Sequence, residues 1–247
     1  MCLSRTAAAE ATGLVKDFGR IRALDGFDIT IPKGSLYALV GPNGAGKTTA
    51  IKVFMGLLRP TGGIAKVLGG SPEMARRKGL ASYMPQDTAM YSGISVMDNL
   101  RIFGSMYGLN SPAIARRGKE LLEFVGLSGR SDSRVSTLSG GMMRRASLAC
   151  ALLPDTPLVF LDEPTVGVDP ELRTEFWRHF SELSGKGRTV VITTHYMDEA
   201  RRCDLVGMMA RGGLMVEGPP GKLMKEAGTA YLEDAYLHFS RAGGDGQ

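Results

Sequence analysis

A chain of 247 residues, 43% hydrophobic and 22% charged, has the length and balance of one large globular domain with a sizeable core, which excludes a disordered chain. Its net charge of +5 comes in short groups, Arg76-Arg77-Lys78, Arg116-Arg117, Arg144-Arg145 and Arg201-Arg202, with no interleaved aromatics. That pattern excludes a nucleic-acid arm and predicts solvated surface, with an anionic membrane face as the weaker alternative.

In chain order, "MCLSRTAAAEATG" lacks the apolar centre of a signal peptide. "FDITI" (27–31) and "SLYALV" (35–40) read as strands, and "TTAIKVFMGLL" (48–58) reads as a helix. Between Gln86 and Ser139 the pattern turns helical, with "ISVMDNLRIFGSMYG" and "RRGKELLEFVGL" amphipathic and no strand between them. "MMRRASLACALL" continues as helix, followed by the strand "PLVFL" (157–161), the helix "ELRTEFWRHFSELS", the strand "TVVITT" (189–194) and the helix "MDEARRC". Strands without alternation are those buried on both faces of a sheet. Alternating strands and helices predict an α/β fold with a mostly parallel sheet. The expected organisation is one domain over 1–240, a helical subdomain at about 88–155 inserted in the α/β core, and a disordered tail at 241–247. No run approaches the roughly 18 apolar residues of a membrane span. "CALLPDTPLVFL" comes nearest and is broken by Pro154, Asp155 and Pro157. Cys2, Cys150 and Cys203 form no C-x-x-C, and His179, His195 and His238 have no metal-ligand spacing, which predicts free thiols in a reducing compartment.

Two motifs carry chemistry by themselves. "GPNGAGKTT" follows a strand and opens a helix, the setting of a phosphate-binding loop. Gly41, Asn43, Gly44, Ala45, Gly46, Lys47, Thr48 and Thr49 form this cradle. Its backbone N–H groups and the helix N-terminus meet phosphate oxygens, Lys47 reaches the β- and γ-phosphates, and Thr48 offers its hydroxyl to Mg²⁺. "LVFLDE" places Asp162 and Glu163 at the end of a buried strand, where open α/β sheets bind ligands. Alone, this pair reads equally well as a strand-end cap. With the phosphate loop upstream, Asp162 becomes a Mg²⁺ support acting through water, and Glu163 the group that polarises the attacking water.

"LSGGM" (138–142), opening a further helix, resembles the signature of the ATP-binding cassette (ABC) family. The other motifs stand in that family's order: phosphate loop, Gln86 in "YMPQ", signature, "LVFLDE", "VGVD" ending at Asp169, and His195 in "TTHYMDEA". Taken singly, Gln86 reads as a loop glutamine, His195 as a structural histidine, and Phe18 as either a core or a ligand-stacking aromatic. The resemblance implies a P-loop nucleotide-hydrolase core of ABC type with an N-terminal antiparallel β region and an inserted helical subdomain. It implies ATP and Mg²⁺ as ligands, with Gln86 contacting the metal and linking the site to the insertion. His195 would touch the γ-phosphate and orient the catalytic carboxylate, Asp169 would cross a dimer interface, and Phe18 would stack on adenine. Ser139, Gly140 and Gly141 would bind the γ-phosphate of ATP held by a second ABC ATPase subunit, another copy or, alternatively, a different chain. "VGVD", Met142 in place of the usual glutamine and the late "YLEDAYLHF" resemble the branch serving drug, polysaccharide or antibiotic-resistance exporters. The implied partner is a transmembrane permease subunit, and the implied location is the cytoplasmic face of the cell membrane. Methionines and aromatics between Met84 and Tyr107 read equally well, taken singly, as packing inside the helical subdomain or as lining the groove for that partner. A soluble ABC ATPase of Fe–S cluster assembly is the alternative; Lys47, Asp162, Glu163 and His195 together argue against an inactive cassette.

Overall fold

The computed structural model describes residues 7–242. Cys2 and positions 243–247 of the expected tail lie outside the described residues.

Strands β1 (Ala7–Phe18) and β2 (Ile21–Pro32) form an antiparallel hairpin, followed by β3 (Leu36–Val40) and helix α1 (Lys47–Phe54). β4 (Gly62–Val67) pairs with the far side of β1, giving a three-stranded antiparallel sheet of order β2-β1-β4. Helix α2 (Pro72–Arg77) and strand β5 (Ala81–Met84) lead into three helices, α3 (Val96–Met106), α4 (Ser111–Phe124) and α5 (Gly140–Leu152). The chain then runs through β6 (Leu158–Asp162), α6 (Pro170–Gly185), β7 (Thr189–Thr194) and the short α7 (Met197–Ala200). It closes with β8 (Leu205–Ala210), β9 (Gly213–Gly218), α8 (Pro220–Glu226) and α9 (Leu232–Ala242). The second sheet has the order β5-β6-β7-β3-β8-β9 and is parallel except for β9. This is the expected α/β class with its N-terminal antiparallel region and helical insertion.

The continuous apolar strands feed two cores, one on each face of the parallel sheet. Leu36, Ala38, Val40, Val159, Leu161, Val190 and Ile192 face the core shared with α3–α6. Their alternates Tyr37, Leu39, Leu158, Phe160 and Val191 face the core shared with α1 and the antiparallel sheet. Phe54 of α1 stacks on Phe160 at 6.0 Å between ring centroids, which fixes the helix behind the phosphate loop against β6. Each such fully buried large side chain stabilises the fold by about 1.5–3 kcal/mol, so a frame of this kind holds strand ends in place for a site.

The insertion begins where local chemistry favours helix starts. Ser95 Oγ accepts from Asp98 N at 3.0 Å to cap α3, and Asn110 Oδ1 accepts from Ala113 N at 2.9 Å to cap α4. Its ends are tied by Val96 N donating to Ser133 O at 3.1 Å and Met97 N to Ser131 O at 2.9 Å. α5 packs on α3 and α4 and also on β5 and β6, so this helix joins the insertion to the sheet.

Three expectations need correction. The predicted helix 48–58 stops at Phe54, because Gly56 takes φ 61° and a Cβ there would lie 2.8 Å from Glu73 N. The helix expected over "MDEARRC" is only the single turn of α7. α9 continues to Ala242, two residues into the segment expected to be disordered, with Tyr236 and Phe239 packed on the core and Arg241 favourable to the dipole in its last turn.

Cys150 and Cys203 are buried free thiols, with the Cys150 thiol pushed up to about 12 by burial alone. Native protein at pH 8 is therefore expected to leave both unlabelled by iodoacetamide, and guanidinium unfolding to expose both; mass spectrometry of the two peptides reads the result. Native-state labelling of Cys150 would contradict this packing.

Candidate nucleotide site

The phosphate loop spans the gap between the end of β3 and α1. A Cβ on Gly41 would stand 2.4 Å from Met209 O, and one on Gly46 would stand 2.5 Å from Ala23 O. Both glycines therefore let the loop pass between β8 and β2, so close packing against the chain itself also dictates them. Gly44, at φ 81°, faces open space. Asn43 and Gly44 are exposed, and Ala45 is buried with its carbonyl accepting from Gly212 N at 3.1 Å. Gly46 caps α1 without a side chain, so the first-turn N–H groups of Lys47, Thr48 and Thr49 stay open to an anion. Lys47 Nζ donates to Gly41 O at 2.6 Å and to Pro42 O at 3.0 Å. Burial holds its ammonium below the ordinary lysine range, while Glu163 and Asp162 act in the opposite direction.

The carboxylates emerge at the C-terminal end of β6. Asp162 is fully buried; it accepts from the Thr193 hydroxyl and, at 3.4 Å, from Tyr83 OH. Tyr83 is pushed up by its own burial and then by the Asp162 charge. Glu163 takes φ 53°, a left-handed backbone that costs on the order of 1–3 kcal/mol in a residue with a Cβ. Its surroundings hold that conformation on both sides. Glu163 N is 3.1 Å from both Thr193 O and Thr193 Oγ1, and Glu163 O accepts from Arg144 Nε at 3.0 Å. The same guanidinium donates to Asp162 O at 3.1 Å and Gln86 O at 3.2 Å. Glu163 Oε1 lies 3.2 Å from His195 Nδ1, and the His195 ring packs at 4.1 Å on Tyr196. With the proton on Nδ1, His195 donates to the carboxylate and leaves Nε2 as an acceptor.

Arg144 and Arg145 correct the sequence reading, which placed them on solvated surface. Both are half-buried: Arg144 knits three carbonyls of the site, and Arg145 donates to Val125 O at 2.8 Å. Burial lowers the Arg144 guanidinium, and the charges of Glu163 and Asp162 oppose that effect. Arg117 is half-buried as well, its guanidinium donating to Leu152 O at 3.4 Å, whereas Arg76, Arg77, Lys78, Arg116, Arg201 and Arg202 are exposed as expected.

The sequence-predicted residues fall into separate groups. Lys47, Asp162, Glu163 and His195 come together around the phosphate loop, with Thr48 one residue into α1. Gln86 is exposed at the end of β5, joined to the group by its carbonyl on Arg144. The signature lies elsewhere. Ser139 caps α5 by accepting from Met142 N at 3.3 Å, Gly140 faces open space, and a Cβ on Gly141 would be 3.3 Å from Gly167 O. Asp169 caps α6 by accepting from Leu172 N at 3.0 Å. Phe18 is 46% exposed at the tip of the β1–β2 hairpin, with Lys16 Nζ 5.0 Å over its ring. β2 sets this hairpin beside the loop through the Ala23–Gly46 approach.

A phosphate loop closing one strand and a carboxylate pair closing another strand of the same parallel sheet, with helices inserted between, define a nucleotide-binding cassette of the P-loop type. Residues 24–166 match the family model described as "ABC transporter". The chain belongs to the ABC transporter family. It is 40% identical over 220 residues to the "Probable multidrug ABC transporter ATP-binding protein YbhF" of Escherichia coli, an alignment covering 88% of this chain and 38% of that protein. Against the "Nod factor export ATP-binding protein I" of Cupriavidus pinatubonensis, identity is 38% over 225 residues, covering 89% of this chain and 68% of the relative. The solved "ATP binding subunit of ABC transporter" superposes with a TM-score of 0.86 at 28% identity, covering 94% of this chain and 99% of that one.

Proposed function

We propose that this chain is the ATP-hydrolysing subunit of an ABC exporter, acting as a dimer that sandwiches two ATP molecules and drives a separate transmembrane permease. The observation that carries the dimer is the separation of the two anion cradles within one chain. The phosphate loop opens α1, which packs on β2, β4 and β6, whereas the signature opens α5, which packs on α3, α4, β5 and β6. Ser139 and Gly140 are exposed, as are Asn43 and Gly44. Each cradle is thus an open half-site, which a second copy completes, with Asp169 crossing the interface. The multidrug and export relatives support transport outward.

Within each half, the open N–H groups of α1 and the Lys47 ammonium bind the β- and γ-phosphates, taking the place of the Gly41 and Pro42 carbonyls around Lys47. Phe18 stacks on adenine. Glu163 accepts the proton of the attacking water, and His195 holds that carboxylate through the 3.2 Å contact while its other nitrogen faces the phosphate. Thr48, Gln86 and Asp162 supply oxygen atoms, the donor type that Mg²⁺ takes, and no cluster of three His, Cys, Asp or Glu side chains forms an all-protein cage among the described residues. When bound there, Mg²⁺ neutralises developing phosphate charge.

Among the described residues no helix is long and apolar enough to cross a membrane, and the subunit reaches the cytoplasmic face of the membrane through its permease. The permease docks on the cleft of about 600 Å³ lined by Tyr83, Pro85, Met90, Phe103, Met106 and Tyr107. Light scattering tests the sandwich. Mg-ATP is expected to convert monomer to dimer, because a ligand held by both copies stabilises only the paired state. Ser139→Arg, which fills the signature cradle, is expected to leave the protein monomeric at every ATP concentration. A nucleotide-independent monomer whose specific activity does not change with protein concentration would refute the half-site reading.

A further inference from the structure

Glu199, in α7, is 5% exposed, and its Oε1 has no hydrogen-bond partner among the described residues. Its other oxygen, Oε2, accepts from Thr165 Oγ1 at 2.9 Å and from Thr194 Oγ1 at 2.9 Å. Thr165 lies two residues past Glu163, in the turn that leads to Asp169. Thr194 directly precedes His195. One buried oxygen atom therefore fastens the segment that carries Glu163 to the segment that carries His195.

Both threonines are further committed. Thr194 Oγ1 accepts from Tyr196 N at 3.0 Å, so its hydroxyl hydrogen points at Glu199 and its position sets the backbone on either side of His195. Thr165 O accepts from Val168 N at 3.2 Å, closing the turn after Glu163. Glu163 has a left-handed backbone that must be held from both directions. Thr193 and Arg144 hold it from the amide and carbonyl sides. Thr165 is the downstream anchor, and it ends on Glu199. A carboxylate buried with one oxygen unpaired is a costly way to fill space compared with an apolar side chain, so packing alone does not account for it.

We propose that Glu199 is a positioning residue: through Thr165 and Thr194 it sets the distance and angle between the Glu163 carboxylate and the His195 ring. It reaches both segments through the two threonine hydroxyls. The proposal rests on the reading of Glu163 as the proton acceptor.

Steady-state ATP hydrolysis by Glu199→Ala, Glu199→Gln and Thr165→Val, with Glu163→Gln as reference, tests it. Glu199→Ala is expected to lose about 10- to 100-fold in kcat, the scale of a small misplacement of a reacting group, while KM for ATP stays within about threefold. Glu199→Gln is expected to keep kcat within about threefold, since one amide carbonyl oxygen can accept from both hydroxyls. Thr165→Val removes one hydroxyl at nearly constant volume; it is expected to fold with a Tm lowered by a few degrees and to lose about tenfold in kcat, so it decides the matter if Glu199→Ala does not fold. The proposal alone is overturned if Glu163→Gln is slow while Glu199→Ala or Thr165→Val turns over at the wild-type rate, or if Glu199→Gln falls as far as Glu199→Ala. Full turnover in Glu163→Gln overturns the proton-acceptor reading and this proposal with it.

Discussion

Glu163→Gln is expected to bind ATP with near wild-type affinity and to hydrolyse it about 10²–10⁴-fold more slowly, the range for losing a positioned general base. In free energy, that is about 2.7–5.5 kcal/mol of transition-state stabilisation. The amide occupies the same volume in the 7% exposed pocket and keeps an oxygen for the His195 contact, but it cannot take a proton. The left-handed backbone is held by bonds to Glu163 N and O, which the substitution leaves in place, so Tm is expected to stay near the wild-type value. Nucleotide titration, single-turnover hydrolysis and thermal unfolding on the same preparation separate these effects. Loss of binding in step with turnover would instead assign Glu163 a structural role.

The second large effect is at Lys47. Lys47→Ala is expected to weaken ATP binding and to lower turnover on the order of 10²–10³-fold, the scale of removing one preorganised donor from a developing charge. Lys47 is the only side-chain cation in "GPNGAGKTT", and its buried ammonium lies within reach of the Glu163 and Asp162 charges. Removing it leaves those carboxylates closer to an uncompensated triphosphate. It also frees the Gly41 and Pro42 carbonyls, so the loop is expected to lose definition as well as charge. Isothermal titration and ATPase assay at matched Mg²⁺ read the two losses; unchanged binding with abolished turnover would limit Lys47 to the chemical step.

What the sequence discloses follows from where each element finds its partners. "SLYALV", "PLVFL" and "TVVITT" are legible as β3, β6 and β7 because a strand buried on both faces reads as a continuous run of apolar and β-branched residues. "FDITI" reveals only the C-terminal half of the 12-residue β2. β1 is concealed by "AAAEAT", whose alanines favour helix locally; pairing on both sides with β2 and β4 overrides that preference. β4, β5, β8 and β9 are short or interrupted by glycine, and pairing in the sheet, not propensity, makes them strands.

The site divides the same way. The phosphate loop is legible because a contiguous backbone does its work. Arg144, Thr193, Tyr83 and Glu199 are illegible because each acts on a residue far away in the chain. The paired threonines that follow the apolar run "VVI" in "TVVITT" are the one signal that could have pointed to buried polar contacts at that strand end.

The guanidinium of Arg144 also has a mechanical meaning. It stands about 6 Å along a helix about 20 Å long, with Ser139 on one side of it and Leu152 on the other. Bonded to Gln86, Asp162 and Glu163, it is a fulcrum rather than a passenger. A tilt of α5 about this point would carry its two ends in opposite directions. The end capped by Ser139 and the end at Leu152 are the two arms of that lever. The carbonyl of Glu163 is tied to the pivot at 3.0 Å, so such a tilt would reach the backbone where its left-handed conformation leaves it least slack.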